Sequence, residues 1–495
     1  MTAVPESPDR PAARQRGQGA RLAGDALVYG IGGVASSAVS VLLVPIYARQ
    51  LGSDGVGVTG VLNSVIALSL MLVGLALPQA FFRWYLKEAT DRHGRAAVLG
   101  TTLTIRVVAS LAGSAVVLLG VLPLTVALYA GDHLPVFALA APIVLFDSFS
   151  SIPLSVLRAE RRARAYVAVS LTRAILGTIL ILTLVVPMGI GVIGVAAGSA
   201  MAAAVSAVVG IAAIQRLGFP RRRFDPALAR RMLAFSLPLV PAGLAGWVLN
   251  LSDRPLLQAI TGDEAIVGVY TLGYTAGLVI NALAVQPFSL AWGAASWEIA
   301  RRDDAPRAFA RILTWFLVVA AGLALLLAGL GTDVLRFLVG PEFELSRFVV
   351  PFSAFAYVLY GAYTITTSGL AIVGRTPLVA TTMAIAAATA LVLNLALIPL
   401  IGMFGAAVST LLSYALLAAL SGSVSQRHYP VPWQLGRAIA VLGIAGGLSG
   451  AALLGPDHAL WRIGCVLAYA PILLATRIVA PSEARAVVGS LLRRG

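Results

Sequence analysis

Apolar runs of about 20 residues, the length that crosses a bilayer as a helix, recur along the whole chain between short polar segments. Fourteen such spans are read near 24–48, 56–81, 97–123, 134–157, 165–188, 191–214, 235–259, 265–291, 309–332, 348–371, 377–400, 403–424, 438–455 and 461–480. They are numbered 1 to 14 below. Each is expected to be an α-helix, because lipid offers no partner for an unpaired backbone amide or carbonyl. The pattern therefore predicts an all-α integral membrane protein. Composition agrees: of 495 residues, 59% are hydrophobic and 12% charged, about half the charged share of a soluble domain.

The net charge of +15 would point to nucleic acid in a soluble protein, but here its placement decides. With the N-terminus inside, 29 of the 36 Lys and Arg residues fall in cytoplasmic segments. Four, Arg49, Arg336, Arg347 and Arg462, fall in outer loops, and three lie within spans. That asymmetry is the positive-inside signal of a cytoplasmic membrane protein with both termini in the cytoplasm. No nucleic-acid partner is implied. The polar, basic first 23 residues do not read as a signal peptide, and the single Cys465 permits neither an internal disulfide nor a cysteine metal site.

The chain also repeats itself. Pro45–Gly52 (PIYARQLG) matches Pro255–Gly262 (PLLQAITG) at an offset of 210. Gly57 and Gly268, Arg164 and Arg375, and Gly194 and Gly405 match at an offset of 211. The matches fall at corresponding places in spans 1–6 and 7–12. Six spans per unit is an even number, so the repeats are expected to be parallel, an arrangement used by transporters with a site between the halves. The expected organisation is a basic cytoplasmic tail (1–23), an N-lobe (24–214), a cytoplasmic linker (215–234) and a C-lobe (235–424). A second linker (425–437), two extra helices (438–480) and a cytoplasmic tail (481–495) complete it.

Several chemistries are excluded. Lys87 is the only lysine and Glu88 follows it, so no phosphate-binding P-loop exists. All four histidines are placed in loops, which removes a buried histidine relay and a zinc-protease motif. No nucleophile elbow is present. The short outer loops leave no place for a catalytic constellation, so the chain is not expected to be an enzyme, and no metal or cofactor is expected.

Charges inside spans are costly and mark function. Arg106, Asp147 and Arg173 fall at one depth on spans 3, 4 and 5, with the acid between the two bases. Asp147 is expected to neutralise at least one arginine. Asp25 opens span 1, where an acid complements the helix dipole, and Arg83 ends span 2 beside Trp84 and Tyr85. In LNLSDRPLLQAI (249–260) an acid, a base and a helix breaker stand in a row. Neighbouring helical residues point about 100° apart, so Asp253 and Arg254 are not expected to pair with each other. Pro255 is expected to kink span 7, as Pro45 is in span 1.

VPIYARQLGSDGVGVTG and LMLVGLALPQAFFR, with SDRPLLQAITGDEAIVGVYTLGYTAG in the second half, resemble the polysaccharide-type flippases of the multidrug/oligosaccharidyl-lipid/polysaccharide exporter superfamily. The likeness runs over about 20–480. It implies transfer of undecaprenyl-pyrophosphate-linked sugar repeats between leaflets by two lobes rocking about a positively lined cavity. On that reading Arg254, Asp253, Arg106, Asp147, Arg173, Arg83 and Asp25 are the candidate substrate-binding residues. Arginine forks suit phosphate oxygens, and a groove formed by spans 13–14 would hold the polyprenyl tail. The implied partners are the lipid-linked oligosaccharide, membrane lipids, a coupling proton or sodium ion, and glycan polymerase and glycosyltransferases. The row of arginines in spans 1, 2 and 8 of a dedicated lipid II flippase is not found. The main alternative is a multidrug or cation antiporter, which predicts twelve spans and cavity acids without matching arginines. A membrane enzyme of glycan assembly predicts a large outer loop that the chain lacks.

Overall fold

The computed structural model describes residues 46, 48–89, 91–220 and 223–478. Among them the regular structure is helical throughout. Span 2 runs Ala48–Glu88, span 3 Arg92–Tyr129, span 4 Leu134–Ala159, span 5 Ala163–Val185 and span 6 Val192–Gln215. Span 7 runs Pro226–Leu251 and resumes as Asp253–Thr261, and span 8 begins at Glu264. Spans 9, 11, 12 and 13 begin at Ala305, Thr376, Met403 and Leu435. In all, eleven described helices are long and apolar enough to cross a membrane, or twelve if the bent pair Pro341–Phe348 and Val350–Ile372 is one span. The helix at span 14, Ala459–Ala475, has 17 residues and falls just short. Most of span 1, with Asp25 and Pro45, lies outside the described residues.

The stretch expected as a linker, 215–234, is helical from Pro226 onward and continues into span 7. Asp225 caps it, its carboxylate accepting from the amides of Ala227 and Leu228 at 2.9 and 3.1 Å. An amphipathic face explains why it does not stay in water: Leu228, Ala229 and Met232 are buried in one cluster with Leu77, Phe81 and Leu99 of spans 2 and 3. The inner end of span 7 therefore packs on the first half of the chain.

The same pairings recur in the two halves. Spans 5 and 6, 4 and 6, and 3 and 4 pack against each other as do 11 and 12, 10 and 12, and 9 and 10. Gly194 and Gly405 play matching parts, each set in the first turn of its helix against the last turn of the preceding one. Spans 13 and 14 pack on span 9. Arg462, 5% exposed, ties this group together by bonding Asp333 at the end of span 9 and Asp457 in the 13–14 turn, the latter at 2.6 Å. That bond holds the Asp457 carboxyl below the usual carboxylate range.

Spans 2 and 8 meet at the end assigned to the outside, glycine against glycine. A Cβ on Gly57 would lie 2.0 Å from the Glu264 carbonyl oxygen, and one on Gly268 would lie 1.9 Å from that of Ser53. Ser53 and Glu264 are themselves 211 residues apart, so each helix does to the other what is done to it. One turn further, Gly60 faces Thr271, again 211 apart. Two facing pairs with a constant difference mean that these helices run side by side in the same sense; an inverted pair would keep a constant sum. Only small residues allow backbones this close. The sequence offset thus ends in a physical seam between the repeats.

The seam makes a covalent test available. A Cβ on Gly60 would lie 3.3 Å from that of Thr271, just below the separation of about 3.5–4.5 Å that a disulfide spans, so a small shift of the helices suffices. Gly60→Cys with Thr271→Cys is expected to crosslink in membranes on mild oxidation, read as rejoined fragments after cleavage at a protease site placed in 216–224. Single cysteines should not do so. Absence of the crosslink in the pair would mean that the outer ends are apart.

Candidate functional site

Two of the intramembrane arginines, Arg106 and Arg254, sit at helix breaks. Span 2 is interrupted at its middle, where Leu75 (φ 49°) and Ala76 (φ 47°) are both left-handed, a region that side chains other than glycine enter at a cost. The local sequence explains the break. Pro78 has no amide hydrogen, so the Gly74 carbonyl loses its helical donor. Arg106 of span 3 supplies the missing donors, Nη1 to the Val73 carbonyl at 3.2 Å and Nη2 to that of Gly74 at 3.3 Å. Arg106 is 2% exposed, its Nε has no hydrogen-bond partner, and no carboxylate pairs with it among the described residues.

Asp147 instead holds Arg173 in a fork, Nε to Oδ1 at 2.9 Å and Nη2 to Oδ2 at 3.1 Å. Counted at 1.5 Å per residue from the inner helix ends, Arg106, Asp147 and Arg173 lie roughly 21, 18 and 15 Å deep. The acid therefore meets one base and leaves the other to the backbone.

Asp253 and Arg254 overturn an expectation: they do pair, Arg254 Nη1 to Asp253 Oδ1 at 3.1 Å. Neighbours point about 100° apart only on a continuous helix, and the chain breaks at Ser252, just before Pro255. Asp253 turns back and accepts the Arg254 amide at 2.9 Å, which leaves the Asn250 carbonyl without its helical donor. The Arg254 guanidinium takes that carbonyl at 3.0 Å. Neither residue opens on a cavity; Asp253 is 3% and Arg254 4% exposed. Tyr270 donates to the second Asp253 oxygen, the Tyr274 ring lies 4.3 Å from the guanidinium, and Tyr357 donates to Tyr274. The pair is embedded among spans 7, 8 and 10.

Arg83 is exposed, with its guanidinium 5.1 Å from the Trp84 ring and 4.7 Å from that of Phe235 at the start of span 7. Asp25 lies outside the described residues. The structure thus joins Asp147 to Arg173 and Asp253 to Arg254, and keeps Arg106 and Arg83 apart from both.

Some contacts had no signal in the sequence. His133, in the turn after span 3, bonds Glu264 at the start of span 8 at 3.0 Å, beside the glycine seam. Gln258 donates to the Leu128 carbonyl at 3.2 Å. Both reach across between the two halves of the chain. The break in span 2, by contrast, was written in Gly74 and Pro78, four residues apart.

A family model described as polysaccharide biosynthesis protein matches residues 22–292, more than half of the chain. No curated protein matches it in sequence. Among solved structures, a lipid II flippase MurJ in an inward closed conformation superposes with a TM-score of 0.72 at 13% identity, over 92% of this chain and 100% of that one. An inward-facing multidrug resistance MATE family transporter of the MOP superfamily gives 0.58 at 17%, over 82% and 95%. A MOP superfamily transporter from Pyrococcus furiosus gives 0.54 at 13%, over 84% and 96%. At these identities the likeness is one of fold.

Burial of the Asp253–Arg254 pair sets a prediction. Removing one partner from a buried pair costs about 3–5 kcal/mol, whereas replacing both by apolar groups is often near neutral. Asp253→Ala and Arg254→Ala are each expected to lower the melting temperature in detergent sharply. Asp253→Leu with Arg254→Met is expected to recover most of the loss. Single variants as stable as the parent would show that the pair is not closed in the folded protein.

Proposed function

Because the chain belongs to the polysaccharide biosynthesis protein family, we propose that it is a flippase that carries an undecaprenyl-pyrophosphate-linked oligosaccharide across the cytoplasmic membrane, by alternating access between two six-span lobes. The observation that carries this reading is the reciprocal seam of spans 2 and 8. A contact that is self-complementary at an offset of 211 is the surface along which two like lobes would part and close. On this reading the outer face is shut in the structure described here and the sugar headgroup loads from the cytoplasmic side.

Charge supports an anionic cargo. Among the described residues the intramembrane acids Asp147 and Asp253 are each matched by an arginine, and Arg106 is left over as surplus positive charge. A multidrug or cation antiporter would want acids free for its cargo, so the arginine pairs favour the flippase. A coupling proton or sodium ion remains part of the proposal as a co-substrate; at either acid it would have to compete with a guanidinium. The polyprenyl tail would lie in an apolar cleft of about 480 Å³ between spans 10, 12 and 13, rather than in a groove formed by spans 13 and 14; Phe348, Phe352, Phe355, Phe404, Gly446 and Gly450 line it. Glycan polymerase and glycosyltransferases would act beside it in the same membrane.

Arg83 is one of several exposed bases on the loading side and, standing at the inner end of span 2, is the proposed first contact for the pyrophosphate. Proteoliposomes holding a fluorescent undecaprenyl-pyrophosphate oligosaccharide would report translocation as loss of outer-leaflet label. Arg83→Ala is expected to slow it roughly tenfold to a hundredfold, since a charge-assisted bond contributes about 1.5–3 kcal/mol. Arg83→Lys should restore part, lacking the bidentate fork. Translocation at the parental rate by Arg83→Ala would remove this residue from the path. No translocation by the parent protein would remove the function.

A further inference from the structure

One helix serves two neighbours. The outer half of span 2 is held against span 8 through Gly57 and Gly60. Its inner half is buried with Leu228, Ala229 and Met232 at the start of span 7. If the seam parts, the outer half has to move relative to the inner half, and the break at Gly74–Ala76 lies between them.

That break is costly to keep. Two consecutive left-handed residues that are not glycine each cost about 1–3 kcal/mol and persist only where their surroundings over-determine them. Two carbonyls are also released in the hydrocarbon region. Arg106 meets both, yet the cap is loose. Its bonds of 3.2 and 3.3 Å lie at the long end of N–H···O bonds, about 2.7–3.2 Å, and Nε has no partner. A cation at the C-terminal end of the outer half-helix is favourable, but among the described residues this guanidinium has no carboxylate partner that would fix it there.

The corresponding place in span 8 is solved without a cation. Residues 70–74 map by the offset onto 281–285, where Asn281–Val285 form one π-turn before Pro287, closed by the Gln286 amide on the Asn281 carbonyl. The position matching Arg106 is Leu317, buried and apolar. Of the two matched breaks, one is held by backbone alone and the other by a side chain that can let go.

We propose that Arg106 is a positioning residue of the transport cycle: it latches span 2 in its broken form while the outer seam is closed, and span 2 straightens when the latch releases. The proposal rests on the flippase reading for its purpose, but its test needs no substrate. The Gly60→Cys/Thr271→Cys pair, in proteoliposomes, reads the closed fraction through the rate of disulfide formation. Arg106→Met is expected to slow crosslinking about tenfold or more, through the loss of its two charged hydrogen bonds, and Arg106→Lys to restore most of the rate. Pro78→Ala gives the Gly74 carbonyl a donor of its own, favours the straight helix, and should slow crosslinking with Arg106 intact. All proteins are compared as monodisperse, folded material. If Arg106→Met does not fold, Pro78→Ala decides. Parental crosslinking rates in both folded variants would make Arg106 a static cap and overturn the proposal. A parent that latches as described but carries no lipid-linked sugar would refute the flippase reading alone.

Discussion

A backbone carbonyl inside a membrane has to find a donor, and the charged residues of this protein are arranged around that requirement. Each unsatisfied group in hydrocarbon costs several kcal/mol, so a helix can break in the membrane only where a replacement donor is ready. Spans 2, 7 and 8 all depart from regular helix near a proline, and they meet the requirement in three ways. Arg106 reaches from a neighbouring helix to Val73 and Gly74. Arg254 bends back onto Asn250 in its own helix. The Asn281–Val285 π-turn re-pairs the backbone with itself. Two of the three intramembrane arginines thus act first on the backbone.

This changes what an intramembrane charge means here. Arg254 is neutralised by Asp253, capped onto a carbonyl and walled by tyrosines. Such a residue fixes the packing of spans 7, 8 and 10; exposing it to a cargo would require taking that packing apart. Arg173 is similarly committed to Asp147. An exposed base stands instead at the end of span 2 assigned to the cytoplasm, where Arg83 lies against Trp84 and Phe235.

The helices were largely legible in the sequence, because the membrane imposes one period and one length on every span. Spans 4, 6, 11 and 12 begin within a residue of where their apolar runs begin. The offset of 211 was legible too, and it led to a contact, Gly57 against Gly268. What could not be read was the partner of each charge. Asp253 and Arg254 looked unable to pair because a continuous helix was assumed, yet the proline that made a kink expected also freed the geometry for pairing. Asp147 was flanked by two arginines at similar depth and meets only Arg173; the partners of Arg106 are carbonyls, which every residue has and no sequence marks. The helix over 226–236 looked like a linker because its arginines hide a buried stripe of Leu228, Ala229 and Met232.

Glycine seams and helix breaks also bear on how one fold can serve different cargoes. A lipid II flippase and a multidrug transporter share this chain's fold at 13% and 17% identity, so the fold tolerates replacement of most side chains. A helix pair that touches through backbone needs only that small residues stay small, as at Gly57 and Gly268. Such a contact places no demand on the side chains that face a cargo. Charge can then vary independently of the moving parts, provided each buried acid keeps a base and each broken helix keeps a donor. In this chain Asp147, Asp253 and the carbonyls of span 2 consume three arginines that way, and selectivity is left to residues outside those commitments.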